Sequence, residues 1–295
     1  MEKAVQIRNS RRALASVHRA EFSRHPAESS ALGEAARRHA LADPLAQVPR
    51  EHDDLRRILF EAAQVQRRLC GPRVLRRGPF EIATEIFPVR HLSGDFISLF
   101  EADGQVVFAV GDIAGKGLPA GMWFPHLLAM ARLHFASQGD PAATLASVNR
   151  DLLSTGLEVP LTSLWLAQLS LATGDVTYSN AGHPPALRLR ADGAVEDLRA
   201  GGPLLGVLAG ATYVNGKTRL KPGDTVVGYS DGITECRDPY GAEFGVERLL
   251  SAAQASRGSG AAATLFSMLG AVEDFAGSCP REDDFALIVL HRDAD

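Results

Sequence analysis

An α+β fold built in layers is the class this chain predicts, and two patterns predict it. Short apolar runs recur in neighbouring pairs, joined by Asp-Gly, Thr-Gly-Asp and Pro-Gly-Asp turns, as antiparallel hairpins require. The helical stretches come two at a time between blocks of strands, not one after each strand, which argues against a parallel βαβ series.

Residues 1 to about 50 are rich in Ala, Arg, His and Ser and are broken by Pro26, Pro44 and Pro49. Their aliphatic content is too thin for a core, so a partly ordered arm is expected over 1–50. From Glu51 to Leu69, Leu55, Ile58, Ala62, Val65 and Leu69 recur at helical spacing. The seam covers about two heptads, short of what a coiled coil needs. Two readings therefore stay open: a helix packed on its own domain, or a dimerising or signal-relaying one. Gly71-Pro72 ends it, making 51–77 a linker to a main domain over 78–295.

In that domain FEIATEIFPV and DFISLFEA read as strands, and Asp103-Gly104 turns into the strand Val106–Val110. Helical patterns follow over Leu118–Ser137, with Pro125 expected to kink or restart the helix, and over Pro141–Ser154 after Gly139-Asp140. LTSLWLAQLSLA, VTYSN, PALRLR and AVEDL supply further strands, and TRLKPGDTVVGYSDG ends one at Ser230-Asp231. Helices are expected near Gly245–Ser256 and Gly260–Phe275, and DDFALIVLHR closes the chain as a strand.

Composition limits the function. The chain has 295 residues, 45% of them hydrophobic, and a formal net charge of −4. That charge offers no attraction for nucleic acid, and no Lys/Arg run suggests a membrane surface. Cys70, Cys236 and Cys279 are far apart in sequence and odd in number, as reduced thiols in a cytoplasmic protein would be. No signal peptide and no membrane-spanning run is evident.

Acidic strand ends are the recurrent chemical feature. In QVVFAVGDIAGKG an apolar strand ends at Asp112 and breaks into a glycine-rich turn. A phosphate-cradling P-loop does not fit, because the spacing from Gly111 to Gly115-Lys116 is one residue short and Gly117 replaces the Ser or Thr. Asp95 follows Gly94, Asp231 precedes Gly232, and Asp283-Asp284 opens the last strand. Carboxylates at several strand ends suit a hard cation such as Mg²⁺ or Mn²⁺, which prefers oxygen ligands. Each Asp-Gly alone is equally a turn dipeptide, as Asp103-Gly104 and Asp192-Gly193 are expected to be.

SGDF, VGDIAGKGLPAG, YSNAGHPP, LLG at Leu204–Gly206, LKPGDTVVGYSDGITE, FG at Phe244–Gly245 and DDFALIVL stand in one order. That order resembles the bacterial PPM-type (metal-dependent) serine/threonine phosphatases, in the branch of sporulation stage II protein E and sigma-factor-regulator phosphatases. The resemblance covers about Phe80 to Arg292, and LFEAAQVQRRL is similar to the linker of those proteins. It implies a four-layer α-β-β-α sandwich of two antiparallel sheets flanked by helix pairs. It also implies two Mn²⁺ or Mg²⁺ ions: Asp112 bridging them with help from the Ile113 carbonyl, Asp231 on the first, Asp95 on the second, and Asp283 as the last ligand, with Asp284 the fallback. A water between the ions would attack the phosphorus of a phosphoserine or phosphothreonine in line, with no phosphoenzyme. The implied substrate is a phosphorylated anti-sigma-factor antagonist, with an activating partner or a homodimer at the linker helix.

Three departures stand out: Ser93 and Ser98 where the family often has Gly and Asp, and Ala286 where Thr is common. Arg90, Lys116 and His183 are candidate substrate-side groups, each weighed against an ordinary structural role. Trp123, His126 and His134 read as packing. Two rival functions follow: a partner-binding pseudophosphatase, prompted by Ser93 and Ser98, and a small-molecule phosphohydrolase sharing the metal site.

Overall fold

The structure, a computed structural model, describes residues 53–294 except 103 and 116. The expected arm over 1–50 lies outside the described residues, as do Asp103 and Lys116. The chain divides into one unit ending at Ile58 and another running from Leu59 to Asp295. The helical run 53–70, α1, begins in the first, where Leu55 and Ile58 are exposed.

In the second unit the elements follow the predicted order. They are β1 (Val74–Arg77), β2 (Phe80–Phe87), β3 (Phe96–Ala102), β4 (Gln105–Ile113), α2 (Leu118–Gln138), α3 (Pro141–Ser154), β5 (Thr162–Ser170) and β6 (Asp175–Ala181). Then come β7 (Ala186–Leu189), β8 (Val195–Leu198), β9 (Gly201–Gly202), β10 (Gly216–Arg219), β11 (Thr225–Tyr229), α4 (Asp231–Thr234), α5 (Gly245–Ala255), α6 (Gly260–Ala276) and β12 (Phe285–Arg292). The sheet starts at Val74 and not Gly78, because β1 pairs with β2 from Val74↔Ala83 to Arg77↔Phe80.

One sheet has the order β1-β2-β12-β11-β7-β8, the other β10-β6-β5-β4-β3 with β9 on β6. Pairing is antiparallel except for the short parallel contact of β9 with β6. Period-2 alternation explains the layers. Along β12, Ala286, Ile288 and Leu290 join Phe108, Val110 and Trp165 between the sheets, whereas Phe285, Leu287 and Val289 face Leu249, Leu265 and Met268 of α5 and α6. Along β4, Val107 and Ala109 turn instead to Phe124, Leu127, Leu145 and Val148 of α2 and α3. The product is the expected four-layer α-β-β-α sandwich, and a strand covered on both faces reads as an unbroken apolar run.

Pro125 does not divide α2, contrary to expectation: one helix of 21 residues runs through it. Phe124, Leu127, Leu128 and Ala131 are all buried around it, so packing on both sides of Pro125 keeps the helix from restarting despite the missing N–H. Gly139, at φ 63, ends the helix, and the Asp140 carboxylate caps α3 by accepting from the Ala143 N–H at 2.8 Å.

Candidate active site

Strand register brings the carboxylates to one end of the sandwich. Phe96 pairs with Gly111, so Asp95 and Asp112 are the next residues outward on the β3–β4 ladder. Tyr229 pairs with Leu287, and the Ser230 N–H donates to the Ala286 carbonyl at 3.0 Å. Asp231 and Asp283 therefore leave the ends of adjoining strands in the other sheet.

The electrostatics show that these ends meet. Asp95 is 3% exposed, and burial pushes its carboxyl well above the usual range. Asp112, Asp284 and Asp231 push it further, while the Ser230 hydroxyl opposes them. Asp112, half-buried, is raised to about 6 by burial and by Asp231, Asp283 and Asp284. Converging like charges of this kind call for a cation.

Two further observations fit a cation there. Asp95 Oδ2 is buried without a hydrogen-bond partner. A Cβ on Gly94 would lie 2.8 Å from the Ile113 carbonyl oxygen, 3.0 Å from that of Gly115 and 3.3 Å from Asp112 Oδ1, so three oxygens crowd one glycine. Among the described residues, however, no three His, Cys, Asp or Glu side chains already form a closed ligating group.

The two aspartates of the final strand have different surroundings. Asp284 is 5% exposed, and its Oδ1 accepts from the Val89 N–H at 2.7 Å. Its Oδ2 accepts from the Ser93 hydroxyl at 3.0 Å and the Gly94 N–H at 2.8 Å. Asp284 thus clamps the loop that delivers Asp95 and is a buried group, not a surface one. Asp283 is half-buried and acts on Asp112. Gly232 makes room for both: a Cβ there would come within 2.2 Å of the Asp284 carbonyl oxygen.

Sequence reasoning missed Gln66, which is buried on α1. Its Nε2 donates to the Ser93 carbonyl at 2.8 Å, and its Oε1 accepts from the Ser93 N–H at 3.1 Å. The side-chain amide thereby pairs with the backbone as a strand neighbour would, two residues before Asp95. The available signal was a Gln in a helix on the side away from Val65, which is 56% exposed.

Ser93 gains a hydrogen bond that Gly could not make. Ser98 does not face the carboxylates: its hydroxyl accepts from Arg132 Nε of α2 at 3.4 Å. Arg132 also donates to the Leu69 carbonyl at 2.8 Å. His183, expected as a substrate-side candidate, is buried, with Nδ1 2.6 Å from the Ser163 hydroxyl. Burial lowers its pKa to about 3, opposed by the Tyr229 backbone, so the ring is held neutral inside the fold, with Nε2 buried and unpartnered. Arg90 is exposed, and its Cδ lies 3.7 Å from a Cβ built on Gly117, beside the glycine-rich turn. Trp123 packs on His126 with ring centroids 5.8 Å apart, whereas His134, expected as packing, makes a polar contact with Asp151 of α3 at 2.6 Å.

Residues 102–293, more than half of the chain, match the family model "Stage II sporulation protein E (SpoIIE)". The chain is 28% identical over 258 residues to "Phosphoserine phosphatase RsbU" of Bacillus subtilis, covering 82% of this chain and 74% of that protein. Among solved structures it is similar to the SiaA-PP2C domain of Pseudomonas aeruginosa, with TM-score 0.72 and 18% identity over 82% of this chain and 99% of that one. It is also similar to the PP2C phosphatase domain and regulatory fragment of SpoIIE from Bacillus subtilis, with TM-score 0.62 and 21% identity over 73% and 63%. Motif order, sandwich and family model agree: the chain belongs to the SpoIIE family and is a protein phosphatase of the PPM/PP2C type.

Proposed function

We propose that the chain hydrolyses phosphoserine or phosphothreonine on a protein of the anti-sigma-factor-antagonist type, using two Mn²⁺ or Mg²⁺ ions held by Asp95, Asp112, Asp231, Asp283 and the Ile113 carbonyl. The observation that carries this reading is the convergence of those carboxylates, with Asp95 Oδ2 buried and unpartnered. Bound cations supply charge that offsets the phosphate and makes the attacking water more acidic. Asp112, coupled to both Asp95 and Asp231, is the residue placed to serve two ions. Asp284 and Gln66 hold the Asp95 loop in register. Arg90 offers its guanidinium fork to a phosphate oxygen. Lys116 stays a substrate-side proposal from sequence alone.

The kinship with RsbU supports a protein substrate in a partner-switching pathway. Against the pseudophosphatase alternative stands the set Asp95, Asp112, Asp231 and Asp283, while Ser93 and Ser98, which prompted it, make local hydrogen bonds. Comparing kcat/KM for a folded phosphoserine protein of the antagonist type with that for free phosphoserine tests the substrate class. A large excess for the protein is expected, and equal values would favour a small-molecule phosphohydrolase.

The same reading makes the segment ahead of β1 a control linker joined to the phosphatase domain that starts at Val74. Gln66 supplies the route, since moving α1 moves Ser93 and with it Asp95. Gln66→Leu keeps the volume and removes both hydrogen bonds, so turnover should fall about tenfold or more through misplacement of a ligand, with the fold retained. Ile58→Asp with Val65→Asp tests self-association along the exposed seam. If its sedimentation and turnover match wild type while Gln66→Leu is impaired, control runs through Gln66 and not through a homodimer.

A further inference from the structure

Cys236 and Cys279, remote in sequence, line one cavity of about 400 Å³ together with Glu235, Arg237 and Asp283. Both are half-buried free thiols. Each sits on a short tether to a proposed ligand: Cys236 follows α4, which begins at Asp231, and Cys279 lies between the end of α6 and Asp283. Burial raises the Cys236 thiol above its ordinary pKa; Arg281 lowers it and Cys279 raises it, so the two thiols feel each other. The third cysteine, Cys70, belongs to the core under α2 and α3, where burial pushes it up to about 11. Among the described residues no third donor completes a metal group around the pair. That leaves sulfur–sulfur chemistry.

We infer that Cys236 and Cys279 form a reversible disulfide when a hydroperoxide is present, and that this bond disables the phosphatase site. The functional part rests on the ligand assignment above. The Cys279 thiolate attacks a peroxide oxygen, the O–O bond breaks, and hydroxide leaves to be protonated to water, giving a sulfenic acid. Cys236 then loses its proton and attacks that sulfur; the S–S bond forms and a second water departs. Two thiols and one H₂O₂ become one disulfide and two waters. The bond requires Cα atoms about 4.4–6.8 Å apart with a defined torsion. It therefore fixes two loops whose far ends carry Asp231 and Asp283, and a shift of about 1 Å in a positioned group costs ~10²-fold.

The test oxidises the full, chelator-treated chain with hydrogen peroxide, removes the peroxide and splits the sample. One half is digested without reduction and analysed by mass spectrometry. The other half is assayed on an aryl phosphate with Mn²⁺, before and after dithiothreitol. A Cys236–Cys279 linked peptide is expected, with turnover down about tenfold or more and restored by dithiothreitol. Cys236→Ser and Cys279→Ser should each stay unlinked and active after peroxide, and the Ala versions should behave alike. No linked peptide, a link through Cys70, or a link that leaves turnover unchanged would overturn the inference. Linkage is read without turnover, so failure of the pairing is distinguished from failure of the metal-site reading.

Discussion

Asp112→Asn should lower turnover by at least ~10²–10³-fold, the usual cost of removing one electrostatic stabiliser, whereas Asp192→Asn should leave it nearly intact. The substitution keeps the size of the side chain but removes its charge and turns one acceptor oxygen into an NH2 donor, at the carboxylate on which Asp231, Asp283 and Asp284 all act. Asp192 is a suitable control, because its carboxylate serves a surface turn through the Ala194 N–H and Arg190. Steady-state rates at saturating Mn²⁺ decide it. Retention of more than about a tenth of wild-type turnover would remove Asp112 from the bridging role.

The adjacent aspartates of the last strand should fail in different ways. Asp283→Ala is expected to weaken metal binding and abolish turnover while lowering the melting temperature of the metal-free protein less than Asp284→Ala does, since Asp283 is half-exposed among like charges and its Oδ1 accepts from the Asp284 N–H at 2.9 Å. Asp284→Ala should instead unfold the protein more easily, by on the order of 3 kcal/mol, because the Val89, Ser93 and Gly94 donors lose a charged acceptor. It should also weaken metal binding indirectly, by freeing the Asp95 loop. Calorimetry and Mn²⁺ titration of both variants separate the two cases. A stable Asp284→Ala protein that has lost its metal, beside a metal-competent Asp283→Ala protein, would move the ligand by one residue.

Most of the sandwich was legible because its strands declare themselves twice, by apolar runs and by the turns between them. β12 could be read as FALIVL because both of its faces are covered. β1 escaped notice because Leu75 is its one buried residue and the rest is polar or exposed. The acidic strand ends were legible as a set, since Asp-Gly after an apolar run marks where a strand stops. What covers a residue was not. Asp283 and Asp284 could be ranked only by the resemblance, and only the fold shows the 89–94 segment closing over Asp284. Gln66 was hidden because helical periodicity reports apolar positions and passes over a buried amide whose partner is backbone. Cys236 and Cys279 looked unrelated because nothing local records that the ends of α4 and α6 open into one cavity.

The central claim is that four carboxylates at the sheet ends act by holding divalent cations. Turnover of an aryl phosphate by the chelator-treated protein, measured as Mn²⁺ is added back, tests it most directly. The account predicts no turnover without metal and saturable recovery as Mn²⁺ rises, with no recovery in Asp112→Asn. Full turnover in excess chelator, or recovery in Asp112→Asn equal to wild type, would contradict it.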